Sequence, residues 1–346
     1  YQLAAFFNTS MDADRPDEFP LLSHLVEEDR AKRDGLRAER DRVLVGLLDR
    51  AEALAADSDD RPDRSAGRVP ILGDLLPPGA TPLDELVDGD LPWDDLAPPP
   101  PGALRSRRSV AAANSIAQHH FNDIAPPARV EILEDDLLTV WVLLDAKNPP
   151  DQIMLQIHSA DQAWAHRAYW GSNHVPWGAD GTTERLRLGD LPEAGAWRRL
   201  EIDPQKIGLR PGTVITGVAC TQHGDADGGV THWGPVEIQR SEAESPSWPT
   251  DFDAWLAVMV SVDGRGLPGD LQAALRSGDA RTDEEETGLK AYWRLNATSD
   301  GVIARRSVAT ELDPIEKQIA AIQAGARSVP VLREQAASDL RDTHVL

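Results

Sequence analysis

The sequence predicts a mainly β protein with helical flanks, in which an antiparallel β-sandwich of jelly-roll type is inserted between helical segments. Three observations carry this. Short segments rich in Val, Ile and Trp follow one another between residues 128 and 240, separated by turn-forming stretches such as DAKNPPD, GSNHVPWGADG, GLRPG and GDADGG and by no long helix. Ile153, Leu155 and Ile157 alternate with Met154, Gln156 and His158, the period of two that turns one face of a strand into core and leaves the other for a different use. Before residue 57 and after Ser245 the apolar spacing changes to that of helices.

Taken in order, Tyr1, Leu3, Phe6 and Phe7 form the end of a hydrophobic element, and 8–20 is a polar acidic loop. Residues 23–56 read as a long exposed helix whose narrow seam is Leu25, Leu36, Val43, Leu47, Leu48 and Leu54 in a charged, proline-free background. The expected mate is 312–326, where Ile315, Ile319 and Ile322 share a face and Pro314 falls near the first turn. Together they predict an antiparallel two-helix stalk whose arms enclose the middle of the chain. Residues 57–127 are a proline-rich linker that wraps along a surface, anchored by Trp93 and Leu96, and the basic RSRR at 105–108 reads as a solvated turn or ion-paired patch.

The strands of the sandwich, 128–240, are placed at 129–133, 137–144, 152–158, 164–170, 197–202, 213–222 and 230–238. In the helical segment 241–327, Phe252, Trp255, Leu256 and Met259 line the inward face of a helix capped by Thr250 or Asp251. Two shorter helices follow in GLPGDLQAALRSG and RTDEEETGLKAYWRLNAT, the second opening with acidic residues suited to the positive end of a helix dipole. SVPVLREQ then reads as a strand entering a following domain at 328–346, and 1–56 as the end of a preceding one, so the chain is expected to be part of something longer.

Composition narrows the function. Of 346 residues, 35 are Lys or Arg and 58 Asp or Glu, a net charge of −23 that repels phosphate backbones and argues against a nucleic-acid partner. The single cysteine, Cys220, rules out a disulfide framework and any multi-cysteine metal or iron–sulfur site in this chain, and its place in a strand makes it a buried thiol. No apolar run is long enough to cross a bilayer.

The densest chemistry is WAHRAYWG and its sequel. Alternation puts Trp164, His166 and Ala168 on one face and Ala165, Arg167 and Tyr169 on the other; Trp170, Asn173, His174 and Trp177 follow. Sugar binding needs an aromatic platform for the apolar faces of pyranose rings and planar hydrogen-bonding groups for the hydroxyls. Trp164, His166, Arg167, Tyr169, Trp170, Asn173 and Trp177 are therefore the candidate ligand-binding residues of a non-catalytic, carbohydrate-binding-like module, although the same aromatics also suit a sandwich core. Asp180 and Glu184, flanking Thr182 and Thr183, and Asp225 and Asp227 in GDADGG are the candidate ligands of a structural calcium ion. Seven histidines lie between 119 and 232 (His119, His120, His158, His166, His174, His223 and His232), but no pair has the helical spacing of a hydrolytic zinc motif. There is no Gly-x-Ser-x-Gly elbow and no phosphate-cradling loop. Glu201, Asp203 and Glu237 are the acids that a glycoside hydrolase or lyase would use, so whether the chain is an enzyme stays open, as does a purely structural inter-domain scaffold.

YQLAAFFN, LQIHSADQAWAHRAYWG, WRRLEIDPQKIGLRPGTVITGVACTQH and the SVPVL…THVL end resemble the middle of the large exported multidomain proteins of planctomycete bacteria, in which a cytochrome c-like domain precedes two planctomycete-specific domains of unknown function. WAHRAYWG is the most specific piece, and the proline-rich 57–108 is not matched. The resemblance implies that this chain links those two domains, with its own flanking domains and a polysaccharide as partners and a periplasmic or extracellular location. The haem-binding Cys-x-x-Cys-His is absent, so no electron transfer is assigned to this segment.

Overall fold

The structure is a computed structural model that describes residues 10–11, 21–48, 67–80, 93–94, 97–240, 251–267, 269–325, 327–330 and 333–334. Tyr1, Leu3, Phe6, Phe7, Leu54, Leu96, Thr250 and most of the expected acidic loop lie outside these residues, as do 57–66, 81–92 and 95–96 of the expected linker. In chain order the elements begin with β1 (Ser10–Met11), β2 (Leu21–His24) and helix α1 (Glu27–Leu48). Next come β3 (Arg68–Leu72), β4 (Trp93–Asp94), β5 (Ser106–Ala111), β6 (Ile116–Phe121), β7 (Val130–Glu131), β8 (Leu137–Leu144) and β9 (Gln152–Ser159). They are followed by β10 (Ala163–Gly171), β11 (Leu186–Gly189), β12 (Arg198–Ile202), β13 (Val214–His223) and β14 (Gly229–Gln239). Helices α2 (Phe252–Ser261), α3 (Gly269–Arg276), α4 (Asp283–Asn296), α5 (Ser299–Ser307) and α6 (Ala309–Ala324) lead to β15 (Arg327–Pro330) and β16 (Arg333–Glu334).

The chain forms two units, Tyr1–Asp41 with Asp313–Leu346, and Arg42–Leu312. In the first, the two arms meet through antiparallel ribbons, β1 with β16 and β2 with β15. Leu25, Ile315 and Ile319 are buried there. Helix α6 starts three residues before the expected Leu312, so Pro314 sits inside the helix rather than in its first turn. Its ring nitrogen has no hydrogen to offer Thr310.

The second unit is a β-sandwich with a helical annex. One sheet has the order β11-β10-β9-β13-β6, with β7 also on β13; the other has the order β12-β8-β14-β5-β4, with β3 also on β14. Between them pack Ile153, Leu155, Ile157, Ala168, Trp170, Val218 and Cys220 from the first sheet and Leu138, Val140, Val142, Leu144, Trp233 and Ile238 from the second. The period of two in β9 therefore does what it predicts: Ile153, Leu155 and Ile157 fill the core. All ladders are antiparallel except β10 with β11. A parallel pair needs a long crossover. Here that connection is 172–185, which lies over the outer face of the first sheet and drops Val175 onto Met154 and Tyr169.

The sandwich begins well before residue 128. Strands β3, β5 and β6 belong to it, and RSRR is not a solvated turn, because Arg105 is 5% and Arg107 2% exposed, with the Asp74 carboxylate close enough to act on both. Arg107 registers against Trp233 and points between the sheets, where burial pushes its pKa down to about 9. Polar residues on inward positions hid this strand, and Pro70 hid β3, which tolerates proline because it pairs on one side only.

The annex has its own core of Trp255, Met259, Leu267, Ala274, Leu275 and Leu289. Asp251 caps α2 by accepting from the Ala254 N–H at 2.8 Å. Thr282 and Glu285 form a reciprocal capping box on α4. No helix among the described residues is long and apolar enough to cross a membrane.

Candidate functional site

The outer face of the first sheet gathers polar and aromatic side chains. Backbone register decides which residues reach it. Gln156 lies between Ala219 on one side and Arg167 on the other, and Ala219 pairs with His120, so Gln156, Arg167 and His120 share this face. In β10 the register shifts between Ala163 and His166, and Ala163 has φ 52°. This is a β-bulge, and it re-aims the side chains that follow it. Trp164 joins Arg167 and Tyr169 on the outer face, whereas His166 turns inward with Ala168 and Trp170. The expected pairing of Trp164 with His166 on one face is therefore corrected, the reason being the extra residue that strict alternation does not count.

Trp164 is partly exposed and makes edge contacts with two imidazoles, His120 at 5.5 Å between ring centroids and His158 at 4.9 Å. Beside it runs a hydrogen-bonded polar tract. Gln156 Nε2 donates to Thr221 Oγ1 at 2.8 Å and to Gln118 Oε1 at 3.1 Å. Arg167 Nε donates to Gln156 Oε1 at 2.6 Å, and its Nη1 donates to the Glu184 carbonyl at 3.1 Å. His158 Nδ1 lies 2.6 Å from Thr216 Oγ1. Gln156, Thr221 and His120 are buried and make a floor; Gln118, His158, Trp164 and Arg167 are partly exposed and make a rim. Burial lowers the pKa of His158, which favours a neutral ring able to donate from one nitrogen and accept at the other. Fixed amide, imidazole and guanidinium groups around an indole can hydrogen-bond hydroxyls while the indole covers an apolar ring face.

The other expected ligand residues have structural partners. His166 is buried, with Nε2 3.0 Å from Ser159 Oγ and Nδ1 2.8 Å from the Ile207 carbonyl. Trp170 belongs to the sandwich core. Tyr169 is buried beneath Val175 with Trp177 packed alongside, and its hydroxyl donates to Asp180 Oδ1 at 2.9 Å. Asn173 Nδ2 donates to the same carboxylate at 3.0 Å. Glu184 Oε2 accepts from the Ala179 N–H within its own loop, and Asp225 Oδ1 accepts from the Asp227 N–H within its own turn. Glu201 and Glu237 register against Thr139 from opposite sides, so two strand spacings, about 10 Å, separate their backbones. Asp203 caps a 3-10 turn.

Gln118, His120, Gln156, His158 and Thr221 are missing from the expected ligand-binding set, because single polar residues in strands look alike whether they face solvent or a ligand. Only the unusual outer side of β9 hinted at them. Among the described residues the side chains that could hold a metal ion are Asp151, His174 and His223, whose ligand atoms all lie within 4.8 Å of one another. Elsewhere in this unit a cavity of about 150 Å³ lies between α2, α4 and residues 75–80. Among the described residues Arg105, Arg265 and Arg305 line it, and Arg265 pairs with Asp123 at 3.4 Å.

No protein-family model matches the chain, and no curated protein matches it by sequence. Among solved structures it is similar to the family 30 carbohydrate-binding module of a Clostridium thermocellum cellulosomal cellulase, at 11% identity over 51% of this chain and 99% of that one, with a TM-score of 0.30. It is also similar to the K3 cleaved adhesin domain of Lys-gingipain from Porphyromonas gingivalis, at 15% identity over 50% of this chain and 97% of that one, with a TM-score of 0.29. A third is the glycoside hydrolase domain of Endo-D from Streptococcus pneumoniae, at 12% identity and a TM-score of 0.30; there 46% of this chain spans only 21% of the other.

Proposed function

We propose that the protein is a non-catalytic carbohydrate-binding module of an exported bacterial multidomain protein, with the outer face of the β11-β10-β9-β13-β6 sheet as its binding surface. One observation carries the reading: Trp164 stands at the edge of a polar tract in which Gln118, Gln156, Arg167 and Thr221 are already hydrogen-bonded to one another. Groups held in place before the ligand arrives lose little freedom when it binds. A glycan lies across Trp164, with hydroxyls meeting Gln118, His158 and Arg167. Export, and a position between the two conserved planctomycete domains, belong to the same proposal and come from the motifs quoted above.

The test is calorimetric titration of the full chain with a panel of neutral and uronic-acid oligosaccharides, repeated with Trp164→Ala. The expected result is binding of at least one member, weakened by about tenfold or more in the variant, a loss of at least ~1.4 kcal/mol. A folded protein that binds no member of the panel, or a variant that binds as well as the parent, refutes the proposal.

A further inference from the structure

We infer that Asp151, His174 and His223 form a binding site for a transition-metal dication of the zinc class, at the end of the first sheet remote from His158. The three residues come from separate elements that the backbone holds in place. The Asp151 N–H donates to the His223 carbonyl at 3.1 Å, and the Asp151 carbonyl accepts from the Ser172 N–H at 2.9 Å. Gln152 Oε1 accepts from the N–H groups of His174 and Val175 at 2.6 and 2.9 Å, which fixes where the crossover 172–185 leaves the sheet.

The ligand atoms of the three side chains all lie within 4.8 Å of one another. Asp151 Oδ1 lies 2.8 Å from His223 Nδ1, and Oδ2 lies 3.2 Å from His174 Nε2. The two imidazoles are stacked, with centroids 4.6 Å apart and planes 22° from parallel. Donors bound tetrahedrally at 2.0–2.1 Å from zinc stand about 3.3 Å from one another, so the ligand atoms are near enough for one ion once the exposed His174 ring tilts out of the stack. Two imidazoles and one carboxylate suit zinc, nickel or copper(II) and do not suit calcium, which takes six to eight oxygens. His223 and Asp151 are mostly covered whereas the His174 side chain is 51% exposed, so the remaining coordination positions open to solvent. The ion joins the crossover to the start of β9 and the end of β13, and it does so whether or not the face near Trp164 binds sugar.

The test uses the full chain stripped with EDTA and titrated with zinc chloride, with calcium chloride in parallel, for the parent protein and for His174→Ala and Asp151→Asn. His174→Ala changes an exposed loop side chain and leaves the core intact. The expected outcome is one zinc per chain and a melting temperature raised by zinc. Either variant is expected to lower the affinity by at least about tenfold, the smaller of the losses seen when even an outer partner of a metal ligand is removed. Calcium gives no such site. Zinc binding equal in the parent and in His174→Ala, or no stronger than calcium binding, overturns the inference, because a chain of charge −23 attracts any dication weakly.

Discussion

At Ala163 the backbone enters the left-handed region with φ 52°, and the bulge there decides that Trp164 faces outward. An alanine in this conformation is strained by about 1 kcal/mol, which glycine relieves and a β-branched residue increases. Ala163→Gly is therefore expected to keep oligosaccharide binding and to match or exceed the parent in stability. Ala163→Val is expected to lose about 1–3 kcal/mol in urea unfolding and to weaken binding. A second residue sets the acid limit. His119 faces inward opposite Cys220, and burial, reinforced by Arg107, lowers its pKa from 6.5 to about 4. Between those pH values the unfolded chain takes up a proton that the folded chain refuses at His119, so this residue's contribution to stability falls as pH drops from about 7 to about 4 and levels off below. The loss approaches ~3 kcal/mol, and His119→Gln is expected to flatten it when unfolding midpoints are compared at pH 7 and pH 4.5. Cys220, with its pKa raised to about 12 by burial, was readable from the sequence as an inert thiol. Gln118, His120 and Asp151 were not readable as site residues, since nothing local separates a polar side chain that faces a ligand from one that faces water.

Helices show how much of an element its ends reveal. The Asp251 cap and the acidic opening of α4 were legible because capping is local chemistry carried by neighbouring residues. Thr282→Ala removes the hydroxyl that accepts from the Glu285 N–H at 3.2 Å and breaks the reciprocal box. The expected loss is about 1 kcal/mol in the opening free energy of α4, read by hydrogen exchange over 283–296, with no change over β8. Strands were legible where one face is wholly apolar, as in β8 and β9. They were hidden where the inward residue is polar, as Arg107 is in β5, or where a proline interrupts an edge, as Pro70 does in β3. The crossover 172–185 covers Met154 and Tyr169 on the outer face because β11 runs parallel to β10, and the order of strands in a sheet is not a local property.

Over the whole molecule, charge works against compactness. With a net charge of −23, like charges repel in the folded state more than in the expanded one, and salt screens them over about 10 Å at 0.1 M. The melting temperature is expected to rise between about 0.01 M and 0.15 M sodium chloride; a flat response contradicts that account. The same acidity makes the uncharged and cationic groups beside Trp164 distinctive, and the sandwich supplies the rigid sheet that holds them in register. The most direct measurement is a crystal structure of the chain soaked with an oligosaccharide that binds in titration. A sugar ring stacked on Trp164, with hydroxyls on Gln118, His158 or Arg167, is the predicted result. Sugar density on the opposite sheet or in the arginine-lined cavity, with the Trp164 face empty, contradicts it.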